Sequence, residues 1–131
     1  MITRTTTFGG ALLIMAGLFG FIAPGFMGLR LSPAHNLLFL VSGAVAIYFG
    51  LLTRQAAGRT FCIVFGAFYG LLGLAGLVAG GLNGPITIIP EALVLGTMDH
   101  VVHGILGAVF LTVGCVSETG HRQFIGAANK S

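Results

Sequence analysis

Hydrophobic residues fall into four long runs along the chain, separated by short segments that hold most of the charged residues. A helix needs about 20 mostly apolar residues to cross the hydrocarbon core of a bilayer. The pattern therefore predicts four membrane-spanning helices. Their predicted bounds are residues 7–27, 33–52, 60–82 and 98–116. Ser32 followed by Pro33 is typical of a helix start, and Thr97 is a candidate N-cap for the fourth span.

The segments outside the spans indicate an orientation. Residues 83–97 are predicted to form an outer loop with one turn of helix at Pro90–Leu95, and residues 117–131 a cytoplasmic tail. Arg30 alone lies on the side of that outer loop. The other basic residues precede span one, flank the connection between spans two and three, or follow span four: Arg4, Arg54, Arg59, Arg122 and Lys130. By the positive-inside rule, both termini are predicted to be cytoplasmic.

The spans also repeat in pairs. Residues His35–Gly50 align without gaps on Asp99–Gly114, and span one matches span three through glycines at equivalent positions. A repeat of two spans keeps its orientation, so the two halves are predicted to be parallel. Glycines spaced by seven keep one helix face, where small residues permit close helix contacts in lipid. We therefore predict an all-α integral membrane protein, a four-helix bundle of two tandem hairpins.

Composition supports the bilayer as the solvent. The chain has 131 residues, enough for a single membrane domain, and 56% of them are hydrophobic. Only 7% are charged, against about 25% in soluble domains. The mean hydropathy is +1.03. The six Lys and Arg residues are scattered singly, so no basic patch indicates a nucleic-acid partner.

Polar residues gather where spans two and four begin. Gly43 in span two and Gly107 in span four belong to the glycines spaced by seven. Counting back seven residues from each reaches Asn36 and His100, and His103 shares the same helix face as His100. His35 and Asp99 occupy equivalent positions in the two repeats, one residue earlier. The spacing predicts an inward-facing polar layer near the outer ends of these spans.

Three roles for this layer follow from its chemistry. In the first, Asn36 and Asp99 belong to a structural layer whose hydrogen bonds hold the two hairpins in register. In the second, His35, His100 and His103 bind a metal, haem or chlorophyll-type pigment, since neutral imidazole is the commonest metal ligand. In the third, the layer is the mouth of a path for a small solute or ion through an oligomer.

The motifs of enzymes are missing from the sequence. It contains no G-x-S-x-G, no phosphate-binding loop and no H-E-x-x-H. We therefore expect a non-enzymatic protein, an accessory or scaffold subunit packed against a larger respiratory, photosynthetic or transport complex. Its expected partners are the lipid bilayer and other membrane subunits or further copies of itself. The expected location is the bacterial inner (plasma) membrane or an equivalent internal membrane.

The two polar helix starts resemble those of a bacterial family of four-span membrane proteins without an assigned activity. That family carries an H-N-x-x-H-L pattern opening the second span and a D-N-x-x-H-L pattern opening the fourth. His35 and Asn36 match the first pattern, with Phe39 in place of its second histidine. Asp99 and His103 match the second, with His100 in place of Asn. The resemblance implies the four-span fold and topology over nearly the whole chain, and no activity.

Overall fold

Four long helices and a small β-hairpin make up the computed structural model of the chain. It describes residues 1–80, 85–90 and 93–128, without the side chains of 27, 86, 93 and 118–128. In chain order the described elements are α1 (Ile2–Ile22), a 3-10 turn (Phe26–Gly28), α2 (Pro33–Leu51), α3 (Gln55–Gly80), β1 (Ile86–Ile89), β2 (Leu93–Leu95) and α4 (Thr97–Ala128).

The four helices are long and apolar enough to cross a membrane. The qualifying segments are Ile2–Ile22, Pro33–Leu51, Gln55–Gly80 and Thr97–Ser117. They correspond to the four predicted spans, but the helices differ from those spans at several ends. α1 begins at Ile2 and stops at Ile22, α3 begins at Gln55, and α4 continues through the predicted tail to Ala128. Residues 129–131 of that tail lie outside the described residues.

Local chemistry explains two of the boundaries. The Ser32 hydroxyl accepts a hydrogen bond from the backbone N–H of His35 at 3.2 Å, and Pro33 occupies the first helical position of α2. This is the start that the sequence predicts. Between α1 and α2 the chain turns through Gly28, whose φ of +79° suits glycine far better than any other residue.

The helices pair within the first and second halves of the chain. α1 packs along α2 and α3 along α4, whereas contacts between the two pairs are far fewer. A β-carbon added at Gly10 would lie 2.7 Å from the Gly43 carbonyl oxygen, and one added at Gly66 would lie 2.5 Å from the Leu111 backbone nitrogen. Such distances are too short for a real side chain, so glycine is what brings these backbones together.

The β-hairpin covers the end of the bundle where α3 finishes and α4 starts. β1 and β2 are antiparallel, with Ile86 opposite Leu95 and Thr87 opposite Val94. The predicted turn of helix at Pro90–Leu95 is wrong in its described part, because Leu93–Leu95 is a strand. The two apolar segments on either side of Pro90 pair with each other instead, and the predicted outer loop contains this hairpin. Residues 81–84 and 91–92 lie outside the description.

Aromatic side chains fill the interior between the two helix pairs. Phe61, Phe65 and Tyr69 follow one another along α3 with ring centroids 4.8 and 4.6 Å apart. Phe110 of α4 lies 4.8 Å from the Phe65 ring and is almost completely buried. Phe39 of α2 is buried in the same cluster, so the middle of the interior is largely apolar.

Candidate functional site

The five polar residues singled out by the sequence are all buried at one end of the bundle. His35 and Asn36 lie in the first turn of α2, and Asp99, His100 and His103 in the first two turns of α4. Each is only 1–2% exposed. We call these five residues the polar layer. Burying polar groups costs free energy unless hydrogen bonds or a ligand compensate, so the partners of each residue decide what the layer can do.

Asp99 connects the start of α4 to the segment between α1 and α2. Its Oδ2 accepts a hydrogen bond from the Gly96 backbone N–H at 2.6 Å and another from the Arg30 backbone N–H at 3.2 Å. The carboxylate also lies in the first turn of a helix, where the free N–H groups and the helix dipole favour negative charge. Its position therefore has a structural explanation.

The His35 ring is oriented by the same segment. Its Nδ1 lies 3.1 Å from the Arg30 carbonyl oxygen and 3.9 Å from Asp99 Oδ1. A carbonyl oxygen can only accept, so Nδ1 carries a proton and donates a hydrogen bond to the Arg30 carbonyl oxygen. In the neutral ring the opposite nitrogen, Nε2, is then an acceptor. Nε2 is buried and has no hydrogen-bond partner among the described residues.

Asn36 and His100 fit into matching recesses on the neighbouring helices. Asn36 lies against Gly20 of α1, and His100 lies against Gly76 of α3, each so close that no β-carbon fits at the glycine. Asn36 Nδ2 donates to the Leu31 carbonyl oxygen at 3.3 Å. Within the described part of the chain, Asn36 Oδ1 and both His100 ring nitrogens lack a partner.

His103 faces the centre of the molecule. Its ring centroid lies 5.6 Å from that of His35, 5.3 Å from that of Tyr69 and 6.3 Å from that of Phe39. His103 Nδ1 is buried without a partner from the described residues. The same side chains line a cavity of about 360 Å³ between α2 and α3, at whose wall Ser42 Oγ and Tyr69 Oη share a 2.8 Å hydrogen bond.

The structure brings His35 and His103 together, one from each helix pair. His100 and His103 share a helix face, as the sequence predicts, but they pack against different neighbours: His100 against Gly76, and His103 against Tyr69 and His35. Within the described part of the chain, no three or more His, Cys, Asp or Glu side chains are grouped so that they could hold one metal ion.

Sequence patterns do not predict two contributors to the site. The sequence indicates Arg30 only as a charge, yet its backbone N–H and carbonyl oxygen bind Asp99 and His35. Backbone groups of a connecting segment leave no signal in the sequence. Tyr69 lies in the middle of an apolar run, and its hydroxyl was the available signal, since a buried Tyr O–H usually finds a partner.

No protein-family model, curated protein or solved structure matches the chain.

Proposed function

We propose that this chain is a small, non-enzymatic integral membrane protein that works as an accessory or scaffold subunit of a larger membrane complex. The observation that carries the proposal is the division of the molecule's surfaces. The side chains of the polar layer face inward, while the four helices present apolar side chains outward. What such a molecule offers its surroundings is an apolar surface for lipid and other membrane subunits.

The outward surface supports this role. Large apolar side chains are well exposed on every long helix, for example Phe8 and Met15 on α1, Tyr48 on α2, Phe68 on α3 and Ile105 on α4. Contiguous exposed apolar surface of this extent belongs against lipid or protein. Neighbouring subunits, further copies of the chain and bilayer lipid are the partners we propose, in a bacterial inner membrane or an equivalent internal membrane.

The proposal includes an internal repeat and an orientation. Asn36 against Gly20 and His100 against Gly76 are contacts at equivalent positions of the two halves, which supports two tandem hairpins. The resemblance to the four-span family agrees with this arrangement. Arg4 and Arg54 both lie at the end of the bundle opposite the polar layer, since Thr6 contacts Gly50 there. With that end cytoplasmic, both termini are inside, as the positive-inside rule requires.

Purification in mild detergent tests the accessory role. A tagged chain expressed at its native level is expected to migrate with a large complex and to release its partners only in harsher detergent. The control is an equally expressed, tagged membrane protein of similar size that belongs to no complex. A chain that runs alone as a small particle, with no partner at stoichiometric amount, contradicts the proposal.

A second function, cofactor binding at the polar layer, is favoured by the unpartnered ring nitrogens of His35, His100 and His103. A bound metal, haem or pigment would give those nitrogens a ligand to bind. The same purified sample should then show stoichiometric metal or a visible absorption band. The replacement His103→Phe should remove it, while Thr112→Ala, on the exposed side of α4, should not. A colourless, metal-free preparation contradicts this function.

A further inference from the structure

A long apolar groove runs between α1 and α4, where the two helix pairs meet. Its volume is about 650 Å³. Phe8 and Leu12 of α1 form one wall and Ile105 and Val109 of α4 the other, all with exposed side chains, while Phe110 closes the bottom. The groove is open along its length, so whatever fills it enters from the side, from the bilayer.

At three positions along this groove, α1 carries smaller side chains than α3 does. The glycine alignment of the two helices places Thr5, Gly9 and Leu13 at the positions of Phe61, Phe65 and Tyr69. On α3 those three rings pack in a row and line separate cavities of about 330–450 Å³ beside α2. On α1 the smaller side chains line the single groove of about 650 Å³ beside α4.

The length of the groove matches one leaflet of a bilayer. It extends on α1 from Arg4 to Ala16, which at 1.5 Å per residue is about 18 Å. Half of a hydrocarbon core about 30 Å thick is about 15 Å. A fatty acyl chain of one leaflet therefore fits along the groove, whereas a transmembrane helix of a partner would run past its end.

A cation lies where the headgroup of such a lipid would be. Arg4 is at the end of the groove, is exposed, and has no acidic partner among the described side chains. The three other sizeable cavities described in the molecule have no Lys or Arg in their walls. Arginine pairs with phosphate through parallel N–H donors, so this end of the groove is suited to a phosphate group.

We propose that the groove between α1 and α4 is a binding site for one anionic phospholipid. An acyl chain lies between Leu12 and Ile105, and the phosphate binds Arg4. The lipid covers the open side of the junction between the two helix pairs. This inference does not depend on the accessory-subunit proposal, because it holds equally for a chain that works alone.

Lipid binding can be counted on the purified protein. The chain is stripped of lipid in a maltoside detergent and titrated with phosphatidylglycerol or phosphatidylcholine of identical acyl chains. Native mass spectrometry then measures the fraction carrying one lipid. The wild-type chain is expected to prefer phosphatidylglycerol about fivefold, the usual effect of one basic side chain near a membrane surface.

Two matched pairs of variants separate the headgroup contact from the groove. Arg4→Gln is expected to remove the preference for phosphatidylglycerol, whereas Arg54→Gln, at the same end of the molecule, keeps it. Ile105→Trp narrows the groove and is expected to weaken binding of both lipids. Leu74→Trp is its control, because Leu74 is 60% exposed against 61% for Ile105 and lines none of the described cavities.

Two results overturn the proposal. Equal binding of both lipids by the wild-type chain, with no difference within either variant pair, means general lipid association only. Cross-linking in native membranes tests for another occupant, using Leu12→Cys in a Cys115→Ser chain. A cross-link to a second copy or to another protein would place polypeptide in the groove and exclude the lipid. Unlinked monomer is the expected product.

Discussion

Gly20 and Gly76 are the residues on α1 and α3 against which the polar layer packs. A β-carbon at Gly20 would overlap the Asn36 amide, and one at Gly76 would overlap the His100 ring. We predict that Gly76→Ala destabilises the protein by about 1–3 kcal/mol, the usual cost of overpacking a buried contact. Because the His100 side chain is only 1% exposed and packs against Gly76, its ring has little room to move away. Thermal unfolding in detergent measures the change.

Gly104 supplies the matched control for this substitution. It lies on α4, one turn after His100, but a β-carbon there would meet nothing within 4 Å. Gly104→Ala should leave stability unchanged or raise it by up to about 1 kcal/mol, since alanine favours helix more than glycine does. An unfolding temperature for Gly76→Ala equal to that of Gly104→Ala would show that His100 is not confined as the structure has it.

At this scale the sequence predicts burial better than it predicts partners. The spacing from Gly43 and Gly107 places Asn36, His100 and His103 on inward faces, and all three are buried. It does not predict that His35 and His103 approach each other while His100 packs on Gly76. That outcome depends on how the two helix pairs meet, and side-chain periodicity within one helix carries no information about it.

The hydrogen bond between Ser42 and Tyr69 connects α2 to α3, elements of different helix pairs. Ser42 Oγ and Tyr69 Oη are 2.8 Å apart and partly buried. We predict that Tyr69→Phe costs about 0.6 kcal/mol of stability, typical of a side-chain hydrogen bond between membrane helices, and Ser42→Ala a similar amount. The double variant should cost no more than one single variant, because both remove the same bond.

A thermodynamic cycle over these variants is the measurement. Tyr48→Phe is the control for loss of a tyrosine hydroxyl, since Tyr48 lies on the exposed face of α2. It should leave stability unchanged. Additive losses in the Ser42 and Tyr69 double variant would mean that each hydroxyl has a different partner and that this contact does not join the helix pairs.

At the scale of elements, hydropathy predicts the four helices but misplaces several of their ends. Residues 3–6 are all polar, so hydropathy predicts that the first span begins at residue 7, yet α1 includes them. Hydropathy indicates which part of a helix is apolar enough for the hydrocarbon core of a bilayer. The helix itself continues as far as its backbone hydrogen bonds do. Hydropathy does not predict the β-hairpin, because short apolar segments are ambiguous between strand and helix and Pro90 favours a loop.

The whole molecule is two helix pairs joined by a small number of specific contacts. Close backbone packing at glycines holds each pair together. Between the pairs, Asp99 binds the Arg30 backbone, His35 meets His103, and the Phe110 ring lies against Gly9. The apolar contacts lie in the middle of the molecule together with the Ser42–Tyr69 hydrogen bond, and the remaining polar contacts lie at the end where α2 and α4 begin.

The orientation of the molecule is the prediction that belongs to this scale. Basic residues Arg4 and Arg54 lie at the end opposite the polar layer, so that end is predicted to face the cytoplasm.

Two exposed positions report on the two ends: Pro85 beside the β-hairpin and Gln55 at the start of α3. Each is replaced by cysteine in a Cys115→Ser chain, which leaves only the buried Cys62. In intact spheroplasts an impermeant maleimide should label Pro85→Cys at once, and Gln55→Cys only after the membrane is opened. The reverse order would place the polar layer on the cytoplasmic side and the basic end outside, contrary to the charge rule.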